Sequence, residues 1–509
     1  MSGGARIAFR ADGGDTIGRG HVMRCLALAD TLCERGAECV FLHRDRPGHM
    51  ADVIDARGHG LRLLPASPSD VTGSFVEAVP EDIFQTCRVL RELSPHALVV
   101  DHYGLGGEWE NAVRNEVSRV LAIDDLADRE HPCDLLLDPN RPSQSRPSME
   151  TPESSRILSG PRYAPLAAAH RRRRPTNRPR RGPASQVLVS YGGVDPNDEL
   201  ARALRVLGQP AFRHLTVDAV APSDRYARAH VSTRPGLRVL PPQGDLAEFM
   251  ARADLALGAG GSASWERCAA GLPSVITALA ENQLVPVRVL EAAGAGLFAG
   301  MTGSVSDADL AFALSLLLDD TALFRAISER AWRLTDAEGA RRVAAALVPD
   351  PPDALALRPV GPDDMLLLYH WANDPATRRN AIDQRTIRWD EHVRWFERKH
   401  ATAATRFDLL VAPDGLRVGQ LRIEPEGEAA GIINFSVEPA LRGQGYGRRL
   451  IQLAVLAWQD TGRGGPLLAD VRAVNQPSRR AFAASGFRIE REIQDDILRY
   501  RLDPGQAGR

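Results

Sequence analysis

No apolar run in this chain approaches the roughly 18 residues a helix needs to cross a bilayer, which excludes an α-helical membrane span. Cysteine is scarce: Cys25, Cys33, Cys39, Cys87, Cys133 and Cys268 are the only six in 509 residues. None form a CxxC pair, and no His/Cys cluster has zinc spacing, so reduced and mostly buried thiols are expected. Neither sign of charge prevails, with 63 Lys+Arg against 65 Asp+Glu and a net charge of −2. That balance supplies no global field for nucleic acid or an acidic membrane. The N-terminal stretch MSGGARIAFRADGG lacks a long apolar signal core and leads straight into a strand-like segment, so a cytoplasmic protein is expected. No internal repeat of the solenoid kind is visible.

What is present is ordinary core material. Apolar residues make up 44% of the chain, enough for several cores. At roughly 100–200 residues per domain, the length suggests about three domains.

The first half alternates short apolar runs with helical patterns. ARIAF (5–9), ECVFL (38–42), ALVVD (97–101), RVLAID (119–124) and DLLLD (134–138) read as buried parallel strands. Val22, Cys25, Leu26, Ala29, Leu32 and Cys33 follow i, i+3, i+4 spacing, one helix face laid on a sheet. HRRRRPTNRPRRG (170–182) could bind phosphate or nucleic acid, but no aromatics interleave, and a solvated, proline-stiffened linker is expected. A second α/β series follows in QVLVS (186–190), LTVDAV (215–220), LRVL (237–240), DLALG (254–258) and SVITA (274–278). VPDPPDALA (348–356) marks a second linker, after which strands are expected at 407–412, 417–424 and 431–439. The expected domains are 1–168, 183–347 and 355–503.

Chemistry gathers where strands end. DTIGRGHVMRC (15–25) places His21 behind Gly18 and Gly20 at a strand-to-helix turn. Such a turn exposes backbone N–H groups to an anion. It is not a dinucleotide fingerprint, because Met23 stands where GxGxxG needs glycine. On these residues alone, His21 is either a reacting group or a polar helix-end residue. VVDHYG (99–104) puts Asp101 and Tyr103 after a strand, and AIDD puts Asp124 and Asp125 after another. YGGVDPN (191–197) is a glycine turn, and GAGGSASWERCAAG (258–271) is a glycine-rich loop entering a helix with Glu266 one turn in.

Together FRADGGDTIGRGHVMR, VVDHYG, AIDD, CDLLLD, YGGVDPN and GAGGSASWERCAAG resemble the UDP-sugar hydrolases of pseudaminic acid biosynthesis, relatives of the MurG-type glycosyltransferases. The resemblance covers residues 1 to about 345. It implies a GT-B-like pair of doubly wound, Rossmann-like α/β domains that cleave UDP from UDP-2,4-diacetamido-2,4,6-trideoxy-β-L-altropyranose. It implies His21 as the group that activates water, with Asp101 and Tyr103 positioning water and sugar. It implies substrate contacts from Arg10, Asp12, Gly18, Gly20, Asp124, Asp125, Gly192 and Gly193. Gly260, Gly261 and Ser262 then lie near the phosphates and Glu266 at the ribose. Attack at carbon makes UDP the leaving group, so no metal is required.

FSVEPALRGQGYGRRLIQLAV (435–455) joins a strand, RGQGYG and an amphipathic helix, a pyrophosphate clamp with Arg442, Arg448 and Arg449 adding charge. With VRAVNQPSRRAFAASGF (471–487) it resembles the acetyl-CoA-binding motifs of the GNAT N-acyltransferases, an α+β fold. The resemblance implies acetyl-CoA contacts from Val437, Arg442, Gly443, Gln444, Gly445, Tyr446, Gly447, Arg448 and Asn475. YHWANDPATRRN and WDEHVRWF look more narrowly like the amino-sugar N-acetyltransferases of the same pathway. One departure stands out: Phe482 occupies the place of a tyrosine that many members use to protonate the leaving thiolate. His370, His392 and Glu438 are unranked candidates for a general base.

The expectation is therefore a fused two-step enzyme whose partners are a UDP-amino-sugar and acetyl-CoA. Its rivals are a glycosyltransferase with an acyltransferase appendage, and a hydrolase with an acetyl-CoA-sensing domain. No clear apolar and basic membrane-docking patch is seen in 45–80.

Overall fold

The computed structural model describes residues 4–14, 17–66, 79–141, 152, 154–175, 180, 182–193, 195, 197–223, 235–494 and 496–504. Asp15 and Thr16 of the first glycine turn, 67–78 of the first half, and 176–179 and 181 of the arginine-rich segment lie outside the described residues. The chain forms two units, Met1–Leu347 and Val348–Arg509.

The first unit holds two parallel sheets. The first comprises β1 (Arg6–Ala11), β2 (Glu38–Arg44), β3 (Gly60–Leu64), β4 (Ala97–Asp101), β5 (Val120–Ile123), β6 (Leu135–Asp138) and β7 (Arg156–Ser159), in the order β3-β2-β1-β4-β5-β6-β7. Its central strands β4, β5 and β6 are buried throughout, because helices cover both faces of a parallel sheet. The second comprises β8 (Gln186–Ser190), β9 (Thr216–Val220), β10 (Leu237–Leu240), β11 (Leu255–Ala259), β12 (Ser274–Ala278) and β13 (Leu297–Met301), in the order β10-β9-β8-β11-β12-β13. The expected pair of doubly wound α/β sheets is present.

Strand order reverses between β1 and β4 in one sheet and between β8 and β11 in the other. Ligands in open α/β sheets bind outside the carboxyl ends at such points. Register makes the consequence local. Ala11 pairs with Asp101, and Ser190 pairs with Gly258. The glycine turn after β1 therefore stands beside the β4 end, and the two glycine loops of the second sheet stand side by side.

Two helices exchange between the halves. Helix α1 (Gly20–Glu34) packs against helix Gly339–Leu347, all nine residues of which are buried. Arg119 fastens that helix by donating to the carbonyls of Ala346 and Leu347, both at 3.0 Å. Conversely, helix Ala168–Arg173 packs on helix Ala247–Arg252 of the second half. The segment expected to be a solvated linker is thus structural where it is described. Arg174 donates to the carbonyls of Ala269 (2.9 Å) and Trp332 (2.6 Å), and its guanidinium lies 4.5 Å from the Trp332 ring centroid. Arg180 donates to the Met250 carbonyl at 2.6 Å. These arginines satisfy otherwise orphaned carbonyls at helix ends, a task a planar fork of donors suits.

The second unit is a mixed sheet of β14 (Ala356–Pro359), β15 (Arg406–Val411), β16 (Arg417–Glu426), β17 (Ala430–Val437), β18 (Leu467–Arg472), β19 (Arg488–Gln494) and β20 (Ile497–Leu502), ordered β14-β15-β16-β17-β18-β20-β19. All its neighbours are antiparallel except β17 and β18. That pair meets only through Gly431–Leu467 and Ile432–Leu468, and beyond these residues the two strands part.

Candidate active site

The turn between β1 and α1 is shaped by glycine. Gly14 and Gly18 exchange two backbone hydrogen bonds, at 3.2 and 2.8 Å. Gly18 has φ of +81°, a left-handed conformation that costs glycine little. A side chain on Gly13 would meet the Met50 sulfur at 2.8 Å. Helix α1 then starts at Gly20 with no side-chain cap and no acidic residue in its first turn. Its first N–H groups and dipole are left for an anion.

His21 is buried, only 6% exposed, and its Nδ1 lies 2.6 Å from Asp101 Oδ1. None of the described residues hydrogen-bonds its Nε2. Arg24, one turn along α1, donates Nε and Nη2 to Asp101, both at 2.6 Å, and Nη1 to Asp125 at 2.7 Å. Burial alone would raise the Asp101 carboxyl, but Arg24 and then His21 outweigh it and hold it well below the usual carboxylate range. Asp101 is thus a fixed anion that orients the imidazole. The Tyr103 ring stands edge-on to His21, centroids 4.4 Å apart. Burial and the Asp125 charge push its phenol well above the usual range, so it keeps its proton.

The structure thus brings His21, Asp101, Tyr103 and Asp125 together. It also adds residues that the motifs did not single out: Arg24, Asp138, Asn140 and Trp265. Arg24 was findable, being i+3 from His21 on one helix face. Asn140 donates to Asp125 at 3.1 Å and accepts from the Trp265 indole at 2.8 Å, joining the halves. Asp138 ends β6 beside these groups. Burial, with smaller repulsion from Asp125 and Asp124, raises its carboxyl to about 7 despite Arg141.

Other expected site residues stand in supporting positions. Arg10 and Asp12 are fully buried with Asp82. Arg10 Nη2 donates to Asp82 at 2.6 Å and to Asp12 at 2.9 Å, so this guanidinium is ion-paired inside the domain. Burial would raise the Asp12 carboxyl, but Arg10 outweighs it and holds it well below its usual range. Asp124 accepts from Ala127 N (2.8 Å) and Arg129 (3.0 Å) and lies 3.5 Å from His131, which organises the loop after β5.

In the second sheet, Gly192 has φ of +87° and Gly193 lies close enough to Arg19 that an added Cβ would meet its side chain at 3.5 Å. The Gly260 N–H is already taken by Gln283 Oε1 at 3.1 Å, and a Cβ there would meet Val287 at 2.7 Å. Gly260 therefore lets the loop pack tightly, while Gly261 is half-buried and Ser262 exposed. Glu266 is part-exposed on helix Ala263–Ala269, with His170 at 3.8 Å.

The second unit carries a glycine turn at the start of an uncapped helix. Gly443 and Gly445 take φ of +77° and +84°, and helix Tyr446–Gln459 begins without a side-chain cap. The wedge between β17 and β18 leaves backbone groups of β17 unpaired beside it. Exposed N–H groups at such a turn suit an anion. Arg448 is exposed, and Val437 and Gly447 line the same turn. Gln444 Oε1 is buried with no hydrogen-bond partner. Arg442 is engaged with Asp374 (2.7 Å) and Thr377 (2.9 Å). The Tyr446 hydroxyl is buried on the Asp350 carbonyl at 2.9 Å, and Asn475 caps its helix by accepting from Ser478 N at 3.2 Å. Among the base candidates, His392 holds the Met365 carbonyl at 2.9 Å and burial pushes its imidazole down to about 4. Glu438 accepts the Trp371 indole at 2.5 Å. Both are structural.

Residues 354–488 match the family model of the Acetyltransferase (GNAT) domain. The chain thus joins a unit of two doubly wound parallel α/β sheets to a GNAT domain. The first unit is homologous to the spore coat polysaccharide biosynthesis protein SpsG of Bacillus subtilis, 22% identical over 67% of this chain and 97% of that protein. It also matches the UDP-2,4-diacetamido-2,4,6-trideoxy-β-L-altropyranose hydrolase of Campylobacter jejuni, 28% identical over 26% of this chain and 42% of that enzyme. Among solved structures, MurG of Acinetobacter baumannii covers 67% of this chain and 99% of its own at 16% identity and a TM-score of 0.48.

Proposed function

We propose that the two units carry out consecutive steps of pseudaminic acid biosynthesis. The GNAT domain transfers acetyl from acetyl-CoA to N4 of UDP-4-amino-4,6-dideoxy-β-L-AltNAc. The first unit then hydrolyses UDP-2,4-diacetamido-2,4,6-trideoxy-β-L-altropyranose to the free sugar and UDP. The activity for which the Campylobacter relative is named supports the second step, and the GNAT match supports the first.

The observation that carries the hydrolase reading is the 2.6 Å contact between His21 Nδ1 and Asp101. With Nδ1–H donating to a fixed carboxylate, Nε2 is the ring's acceptor. Nε2 takes a proton as water oxygen bonds to the anomeric carbon. The bond from that carbon to the UDP oxygen breaks, and its electron pair leaves with UDP. Asp101 stabilises the imidazolium that forms, and Tyr103 donates to the sugar or water. The N-terminus of α1 and the loop at Gly261 and Ser262 receive the leaving diphosphate. In the GNAT domain the neutral sugar amine bonds to the acetyl carbonyl carbon as the C–S bond breaks, and the proton lost from nitrogen passes to solvent water. Phe482 donates no proton, and a thiolate leaves without one because thiols ionise near pH 8.5.

The test uses purified full-length chain and pre-acetylated substrate. UDP release is expected from the wild type and lost in His21→Ala, which still releases CoA in the acetylation assay. Release of UDP only when a sugar or lipid acceptor is added would replace the hydrolase reading with a glycosyltransferase.

A further inference from the structure

One buried cation of the first unit is used by nothing above. Arg267 is 3% exposed on helix Ala263–Ala269. Its Nη2 donates to the Ala259 carbonyl at 2.7 Å and to Ser264 Oγ at 3.0 Å, and its Nε has no hydrogen-bond partner. Among the described residues no carboxylate forms an ion pair with it. Two other deeply buried arginines do the opposite: Arg10 holds Asp12 and Asp82, and Arg342 holds Asp336. A buried charge is costly without a counter-charge. The adjacent Glu266 carboxylate lies instead toward His170.

The place of this cation is specific. Its guanidinium sits beneath the carboxyl ends of β8 and β11, where strand order reverses. A Cβ on Gly258 would stand 3.0 Å from Arg267 Nη1 and 2.5 Å from the Ser190 carbonyl, so glycine opens the space it fills. The two glycine loops, at 191–193 and 259–262, start from this floor.

We infer that Arg267 is the fixed counter-charge of the diphosphate, raising the potential beneath both glycine loops so that a nucleoside diphosphate completes an ion pair the protein leaves open. This rests on the reading that these loops receive UDP. Arg267 acts through the loop and the field, without exposure to solvent that would screen it.

The test is calorimetric titration of the full chain with UDP and with uridine. Arg267→Met keeps length and removes charge, and Arg267→Lys keeps charge. In Arg267→Met, UDP affinity is expected to fall about tenfold or more while uridine affinity changes less than about twofold. Arg267→Lys is expected to retain UDP affinity within about threefold. Equal losses for UDP and uridine, or no loss for either, would overturn the inference and leave Arg267 a packing residue. Should Arg267→Met not fold, the wild type still decides. The ratio of UDP to uridine affinity is expected to survive about 0.5 M salt, because a buried charge is weakly screened. Its collapse toward unity would assign the preference to exposed cations instead. A wild type that binds neither compound would contradict the UDP reading itself, an outcome distinct from unchanged ratios in the variants.

Discussion

The indole N–H of Trp265 donates to Asn140 Oδ1 at 2.8 Å, across 125 residues of sequence and between the two sheets of the first unit. Asn140 passes the contact to Asp125, Asp125 to Arg24, Arg24 to Asp101 and Asp101 to His21. The helix proposed to hold the nucleotide is thus wired to the histidine proposed to activate water. Trp265→Phe keeps the ring and removes one donor. It is expected to lower UDP release about tenfold and stability by about 1 kcal/mol, read by initial rates and urea unfolding. Unchanged rates would confine the bond to packing.

Asp101 carries the orientation of His21. Asp101→Asn replaces a fixed anion by an amide that cannot stabilise an imidazolium, and UDP release is expected to fall about a thousandfold. The same change leaves Arg24 short of a counter-charge, with an expected stability loss of about 3 kcal/mol. Acetyl transfer from acetyl-CoA is the internal control and is expected to persist.

Two buried groups shape the pH dependence of the first unit, in windows that overlap only near pH 7. His131 lies 2.6 Å from Glu110 and 3.5 Å from Asp124. Burial disfavours its charged form, but those carboxylates prevail and raise it to about 9. Its contribution is full below the unfolded value near 6.5 and is lost as pH rises through 9, about 3 kcal/mol. His131→Gln is expected to flatten the unfolding midpoint over that range.

Asp138 works in the lower window. The unfolded carboxyl ionises near 3.8, whereas the folded one keeps its proton to about 7. Between those values the folded state binds more protons, so stability falls as pH rises. Asp138→Asn is expected to be more stable than the wild type at pH 8 and to match it near pH 4, by urea unfolding at both.

In the GNAT domain, Phe482 packs against Phe435, Phe487 and Tyr500, with centroids 5.1–5.8 Å away. Restoring a tyrosine there buries a hydroxyl among rings. Phe482→Tyr is expected to cost about 1–3 kcal/mol without raising the rate of CoA release. A faster enzyme would show that a proton donor had been missing.

Much of this was legible in the sequence because each motif follows a strand, and strand order then places it. The β1 and β4 ends meet at a reversal point, so His21 and Asp101 became neighbours without any local signal linking them. The edge strands β3, β7 and β13 were not foreseen: β3 is mostly exposed, and β7 and β13 are only half-buried, so none shows the continuous apolar run of a central strand. Arg174 and Arg180 read as solvated charge, because composition cannot reveal a helix end waiting to be capped. Arg10, Tyr446 and Asn475 look like ligand groups in a motif, yet their side chains are committed to protein partners that only the folded chain brings near. The bond from Asn140 to Trp265 is set by how two sheets face each other, which no spacing encodes.

The central claim is that water, activated at His21, attacks the anomeric carbon. It is tested most directly by running the reaction on the acetylated UDP-sugar in ¹⁸O-water and weighing both products. One ¹⁸O is expected in the released sugar, none in UDP, and neither product from His21→Ala. Label in UDP, or undiminished release from His21→Ala, would contradict it.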